Sequence, residues 1–91
     1  MVPARITLPP ADRVALLGDA VSLGVTAEGS RLRYQWLFGS VPVAGATNAV
    51  LTLSAVSTNE AGLYAVVVSN EVSAVQSPAA RLTVLIPPFL I

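Results

Sequence analysis

The chain reads as an all-β protein, a β-sandwich of two antiparallel sheets, and three observations predict it. Apolar residues alternate with a period of two over short runs, such as Val21-x-Leu23-x-Val25, Tyr34-x-Trp36, Leu51-x-Leu53, Tyr64-x-Val66-x-Val68 and Ala80-x-Leu82-x-Val84. That is the pattern of strands with one buried face. Turn signals rich in Gly, Pro and Asn part these runs at intervals of about 8–12 residues, and no stretch holds helical spacing long enough for a helix. Finally, 91 residues suffice for one domain with a single core, and two domains would not fit.

Composition narrows the function classes. The chain is 54% apolar and 11% charged, against about 25% charged in an ordinary soluble domain, so most positions face a core or a partner. Five basic residues, all Arg, balance five acids, and no segment concentrates either sign. A nucleic-acid partner would want a basic stripe, so none is expected. Cysteine and histidine are both absent. Disulfides, thiolate metal sites, Cys nucleophiles and Ser-His-Asp catalysis are thereby excluded. The apolar tail from Leu82 to Ile91 is broken by Pro87-Pro88 and is far shorter than the roughly 20 residues a spanning helix needs, so no membrane insertion is expected. Met1-Val2-Pro3 leads into polar, proline-rich sequence without the apolar core of a signal peptide.

Taken in order, Ile6-Thr7-Leu8 is a short alternating piece stopped by Pro9-Pro10, which cannot donate to a ladder and suits an edge. Arg13 to Leu17 resumes the strand. Gly18-Asp19 turns the chain into Ala20 to Thr26, where Val21, Leu23 and Val25 share one face. Leu32, Tyr34, Trp36 and Phe38 repeat the period, and Trp36, with the largest apolar side chain, belongs at the centre of the core. Pro42 marks Val41 to Ala44 as an edge excursion. A strand from Ala49 to Leu53 follows. The polar corner Ser57 to Gly62 then leads into Tyr64, Val66 and Val68, with room for a single helical turn at Glu60-Ala61-Gly62. Beyond the hairpin at Glu71 to Ser73, Ala74 to Gln76 starts a last strand that Pro78 interrupts as a bulge would. Seven to nine strands result.

Glu60-Ala61-Gly62-Leu63-Tyr64 resembles the acidic-x-Gly-x-Tyr corner of immunoglobulin-like domains, most closely the intermediate (I-set) type. Trp36 follows the end of the strand containing Val25 at the family's cysteine-to-tryptophan spacing, and Val66 lies where the second cysteine falls, two residues after the tyrosine. Asn70 and the closing Ala80-x-Leu82-x-Val84 match as well. The resemblance implies a Greek-key sandwich in which Val25 and Val66 replace the inter-sheet disulfide beside Trp36. The cysteine-free form resembles tandem modules of large bacterial surface or secreted proteins. The expected core is Val25, Trp36, Leu53, Tyr64, Val66 and Leu82.

No chemistry-bearing constellation emerges. Glu60 and Glu71 lie on separate loops, Asp12, Asp19 and Glu28 lack the close oxygen spacing of a calcium loop, and no phosphate loop, nucleophile elbow or zinc spacing occurs. No catalytic residue, cofactor or metal is expected. Trp36 and Tyr64 fall on the inward phase of their strands, which favours core over sugar stacking.

One face asks for more. If Tyr64, Val66 and Val68 point inward, Leu63, Ala65 and Val67 point outward, joined by Leu37, where antiparallel sheets usually show polar side chains. These four residues are the candidate docking face for a protein partner, a neighbouring module or a second copy. Residues 1–85 form the expected domain, and residues 86–91 read as a linker or the start of a following module. The resemblance implies a non-catalytic module of a multidomain extracellular or cell-surface protein, serving as a spacer and as a protein-binding or adhesion unit. The alternatives are an accessory, carbohydrate-contacting domain of a secreted hydrolase and an engineered cysteine-free scaffold.

Overall fold

Period-two apolar runs form strands throughout residues 2–86, the part of the chain that the computed structural model describes. The strand segments are β1 (Arg5–Leu8), β2 (Arg13–Leu16), β3 (Val21–Gly24), β4 (Thr26–Glu28), β5 (Arg33–Phe38), β6 (Val41–Pro42), β7 (Val50–Leu53), β8 (Gly62–Ser69), β9 (Ala74–Gln76) and β10 (Ala80–Leu85). A single 3₁₀ turn, Thr58–Glu60, precedes β8. β3 and β4 are consecutive pieces of one strand parted at Val25, and β9 and β10 both pair with β8. The ten segments therefore make eight strands.

One sheet runs β2-β10-β8-β5-β6, with β9 beside β10 on β8. Facing it are the ladders β1–β4 and β3–β7. Leu23, Trp36, Val56, Val66, Val68 and Leu82 are the large side chains fully buried between the layers, each contributing about 1.5–3 kcal/mol by leaving water. Trp36 Nε1 donates to the Asn48 carbonyl at 2.8 Å. The indole thus ties the crossing between the sheets to the core it fills, and its one polar atom is satisfied.

Two expectations change. The sheets are not wholly antiparallel, because β2 runs parallel to β10, with Leu82 opposite Arg13 and Leu85 opposite Leu16. Pro9-Pro10 is the place where the opening strand leaves β4 and crosses to the other sheet. A chain that crosses without reversing keeps its direction, so it meets β10 in parallel. Leu53 is only half-buried and packs against the rim of the core rather than within it, because it closes a strand whose far edge is uncovered.

The corner before β8 is built from local chemistry. Ser57 caps the 3₁₀ turn, accepting from the Asn59 amide, while the Glu60 carboxylate accepts from the Ser57 amide at 2.6 Å, a reciprocal capping box. Gly62 has φ +152°, and a Cβ there would stand 2.7 Å from Phe38 Cε1, so glycine is required on both counts. Tyr64 can then stack on Phe38 with ring centroids 4.7 Å apart.

Candidate functional site: the outer face of the larger sheet

β5 and β8 pair antiparallel, bringing Leu37 opposite Ala65 and Gln35 opposite Val67. On the other flank of β8, Arg81 lies opposite Leu63 and Gln76 opposite Val67. The four candidate docking residues therefore share one face, rimmed by Gln35, Gln76 and Arg81. They are unequally available. Leu63 is 46% exposed, and Leu37 and Val67 are half-buried.

Ala65 corrects the expectation, because it is only 9% exposed. Its methyl group is shorter than the side chains of Leu37, Leu63 and Gln76, and the four line one shallow depression of about 140 Å³. Ala65 is the floor of the surface, and the contacting atoms belong to its walls. Gln35 contributes order rather than reach, since its Nε2 donates to the carbonyls of Trp36 and Val43 at 2.9 Å each.

The carboxylates are spoken for or far apart. Asp12 Oδ1 accepts from the Arg81 amide at 2.8 Å and Asp19 Oδ2 from the Leu16 amide at 3.1 Å. Glu60 and Glu71 stand beyond opposite ends of β8, roughly 27 Å apart for an eight-residue strand. Asp19 and Glu28 are likewise divided by the length of β3 and β4. Among the described residues no group of three or more metal-ligating side chains assembles. Trp36 and Tyr64 are enclosed in the core, so neither offers a ring for sugar stacking.

Tyr64 is chemically perturbed. Its hydroxyl donates to the Glu60 carbonyl at 2.6 Å. Burial, and secondarily the negative Glu60 nearby, raise its pKa above the ordinary tyrosine value, because both disfavour the phenolate. This is a structural clasp, locking the corner to β8.

Sequence reasoning missed one polar anchor, Ser77, and the partners of another, Asn70. Ser77 is buried, and its hydroxyl accepts from the Val66 amide at 3.0 Å. The Asn70 side chain donates to the Val2 and Ser30 carbonyls and accepts from the Val72 and Ser73 amides. Asn70 was legible as a matching position, but its four partners come from three separate segments.

No protein-family model matches the sequence, and no curated protein matches it. Solved structures do. The titin M10–obscurin-like 1 Ig complex matches at TM-score 0.87 and 22% identity over 98% of this chain and 100% of that one. The fold is an immunoglobulin-like β-sandwich. A titin I67–I69 variant matches at TM-score 0.86 and 22% identity, over 96% of this chain and 34% of that one. The tandem Ig repeats of Dlar match at TM-score 0.85 and 22% identity, over 92% of this chain and 49% of that one. The immunoglobulin-like chain described here thus spans about a third and about half of those two longer neighbours.

Proposed function

We propose that this immunoglobulin-like domain is a non-catalytic module of a multidomain extracellular or cell-surface protein, acting as a spacer and as a protein-binding unit. The observation that carries the reading is the outer face of β5 and β8, where Leu37 and Leu63 stand over Ala65 and Val67 continues the same face, on the side of the sheet that ordinarily carries polar residues. Wide apolar walls with a polar rim fit a protein surface better than a sugar, which would want exposed aromatic planes.

The spacer role is supported by where the chain meets the fold. Val2 is held beside Ser30 and Asn70 at one pole, while Leu85 lies at the other, its carbonyl accepting from the Leu17 amide at 2.9 Å. At that second pole Leu16, Leu17, Leu85 and Ile86 are all exposed, an apolar cap against which a neighbouring module would seat. The parallel β2–β10 pair supports the I-set subtype. Residues 86–91 are proposed as the connection to that module, and residues 87–91 lie outside the described ones.

A protein and glycan array probed with the 91-residue chain and with its Val67→Glu variant tests this. Protein hits that disappear with Val67→Glu are expected. Glycan hits indifferent to Val67→Glu would replace the reading with a carbohydrate-contacting one.

A further inference from the structure

Residues 34–59 contain no Asp, Glu, Lys or Arg. This stretch builds most of β5, all of β6 and all of β7, together with their connections. The segment puts no charge of its own on the side of the sandwich it builds, and the neighbouring acid Glu60, beside Thr52 and Leu53, is engaged by the Ser57 amide and hydroxyl. Exposed strand edges are ordinarily guarded by charges, prolines or bulges. β6 has Pro42. β7, Val50-Leu51-Thr52-Leu53, has no such guard, and among the described residues only β3 pairs with it.

The hydrogen-bonding phase of that bare edge follows from the ladder on its other side. Val25 donates to the Ala49 carbonyl at 3.0 Å, and the same register places Leu23 opposite Leu51 and Val21 opposite Leu53. Antiparallel pairs alternate, so Leu51 and Leu53 direct their backbone groups to β3. Val50 and Thr52 belong to the intervening pairs, with Gly24 and Ser22, and direct their N–H and C=O groups away from it. Two donors and two acceptors thus point away from β3, and among the described residues no strand pairs with them. Val50 is 52% exposed, and its cross-strand neighbour Gly24 has no side chain to cover it.

We infer that this edge pairs with β7 of a second copy of the chain. Two antiparallel β7 strands related by a two-fold axis through Leu51 would set Val50 of each copy opposite Thr52 of the other. All four free groups of each strand are then satisfied, in four hydrogen bonds. A second copy is the occupant because the edge is complementary to itself in this register and carries no charge to be repelled by its own image. Like charges directly opposite are the usual bar to such pairing. On the outer face the register stacks the Val50 side chain on Thr52, a favourable β-branched cross-strand pair. On the inner face it covers Leu53 with Ala49 of the other copy, and both are half-buried in the single chain. An edge of four residues makes an interface of the weak class, below about 1,200 Å², so the pairing is concentration-dependent.

Sedimentation equilibrium up to about 1 mM protein reads it, with Trp36 fluorescence confirming that each variant is folded. The unmodified chain is expected to self-associate to a dimer. Val50→Lys with Thr52→Lys places like charges opposite each other twice and is expected to weaken the dimer by about tenfold or more. Val50→Glu with Thr52→Lys places opposite charges at the same two pairs and is expected to restore it. A chain that stays monomeric throughout, or a dimer indifferent to both double variants, overturns the inference. So does a dimer that Val67→Glu abolishes while the paired lysines do not, which would move self-association to the opposite sheet.

Discussion

Tyr64 concentrates the single-residue chemistry of this protein. Its ring stacks on Phe38, and its hydroxyl reaches the Glu60 carbonyl. The hydroxyl can donate only while the phenol is neutral, and burial, with the negative Glu60 nearby, raises the pKa and favours that form. A group whose folded-state pKa is raised contributes stability that is complete below its unfolded value, about 10 for tyrosine, and is lost as pH climbs from there through the folded-state value. Tyr64→Phe is expected to cost about 1 kcal/mol near neutral pH through the lost hydrogen bond. In urea titrations at pH 7 and above pH 10, the gap between the two proteins should narrow at the higher pH. A constant gap would show that the hydroxyl contributes nothing that ionisation can remove. The tyrosine was legible in the sequence from its spacing to Gly62. Its stacking partner was not, because Phe38 arrives from β5, opposite it in the register.

At the scale of elements, the last strand shows how a local signal acquires its meaning from a neighbour. Pro78 announced an interruption, and β9 and β10 do meet β8 in registers that differ by one residue, Val67 with Gln76 against Tyr64 with Ala80. That is a bulge. Within it the Ser77 amide donates to the Val66 carbonyl at 2.9 Å, and the Ser77 hydroxyl takes the Val66 amide that the distorted ladder would otherwise strand. Ser77→Ala is expected to cost about 1–3 kcal/mol, the penalty for an unsatisfied buried donor. Hydrogen exchange should locate the loss at the Val66 amide, and unchanged protection there would assign the hydroxyl no role. Nothing in the sequence singled out Ser77 among its fellow serines, since only the pairing with β8 gives it a partner.

Across the whole molecule, Val25 and Val66 belong to one core cluster with Trp36, at the positions where the resemblance to immunoglobulin-like domains would place the two cysteines. Val25→Cys combined with Val66→Cys is expected to close a bridge under oxidising conditions and to add about 2–4 kcal/mol. Thermal melts with and without reductant, together with thiol titration, would measure it. Two thiols that stay free in oxidant would put the strands bearing them out of reach of each other, contrary to the aligned spacing.

The sequence by itself determined which residues form strands, where the chain turns, and that a tryptophan and aliphatic side chains make the core, because alternation and turn chemistry are properties of neighbours along the chain. Which strands meet is a property of distant segments brought together. The tertiary structure alone therefore decided that β2 runs parallel to β10, that Ala65 lies in the shade of longer side chains, and that among the described residues β7 pairs on one edge only. Charge provides the link between the two: the blank stretch from residue 34 to 59 is plain in the sequence, and it matters because the fold gathers it on one side.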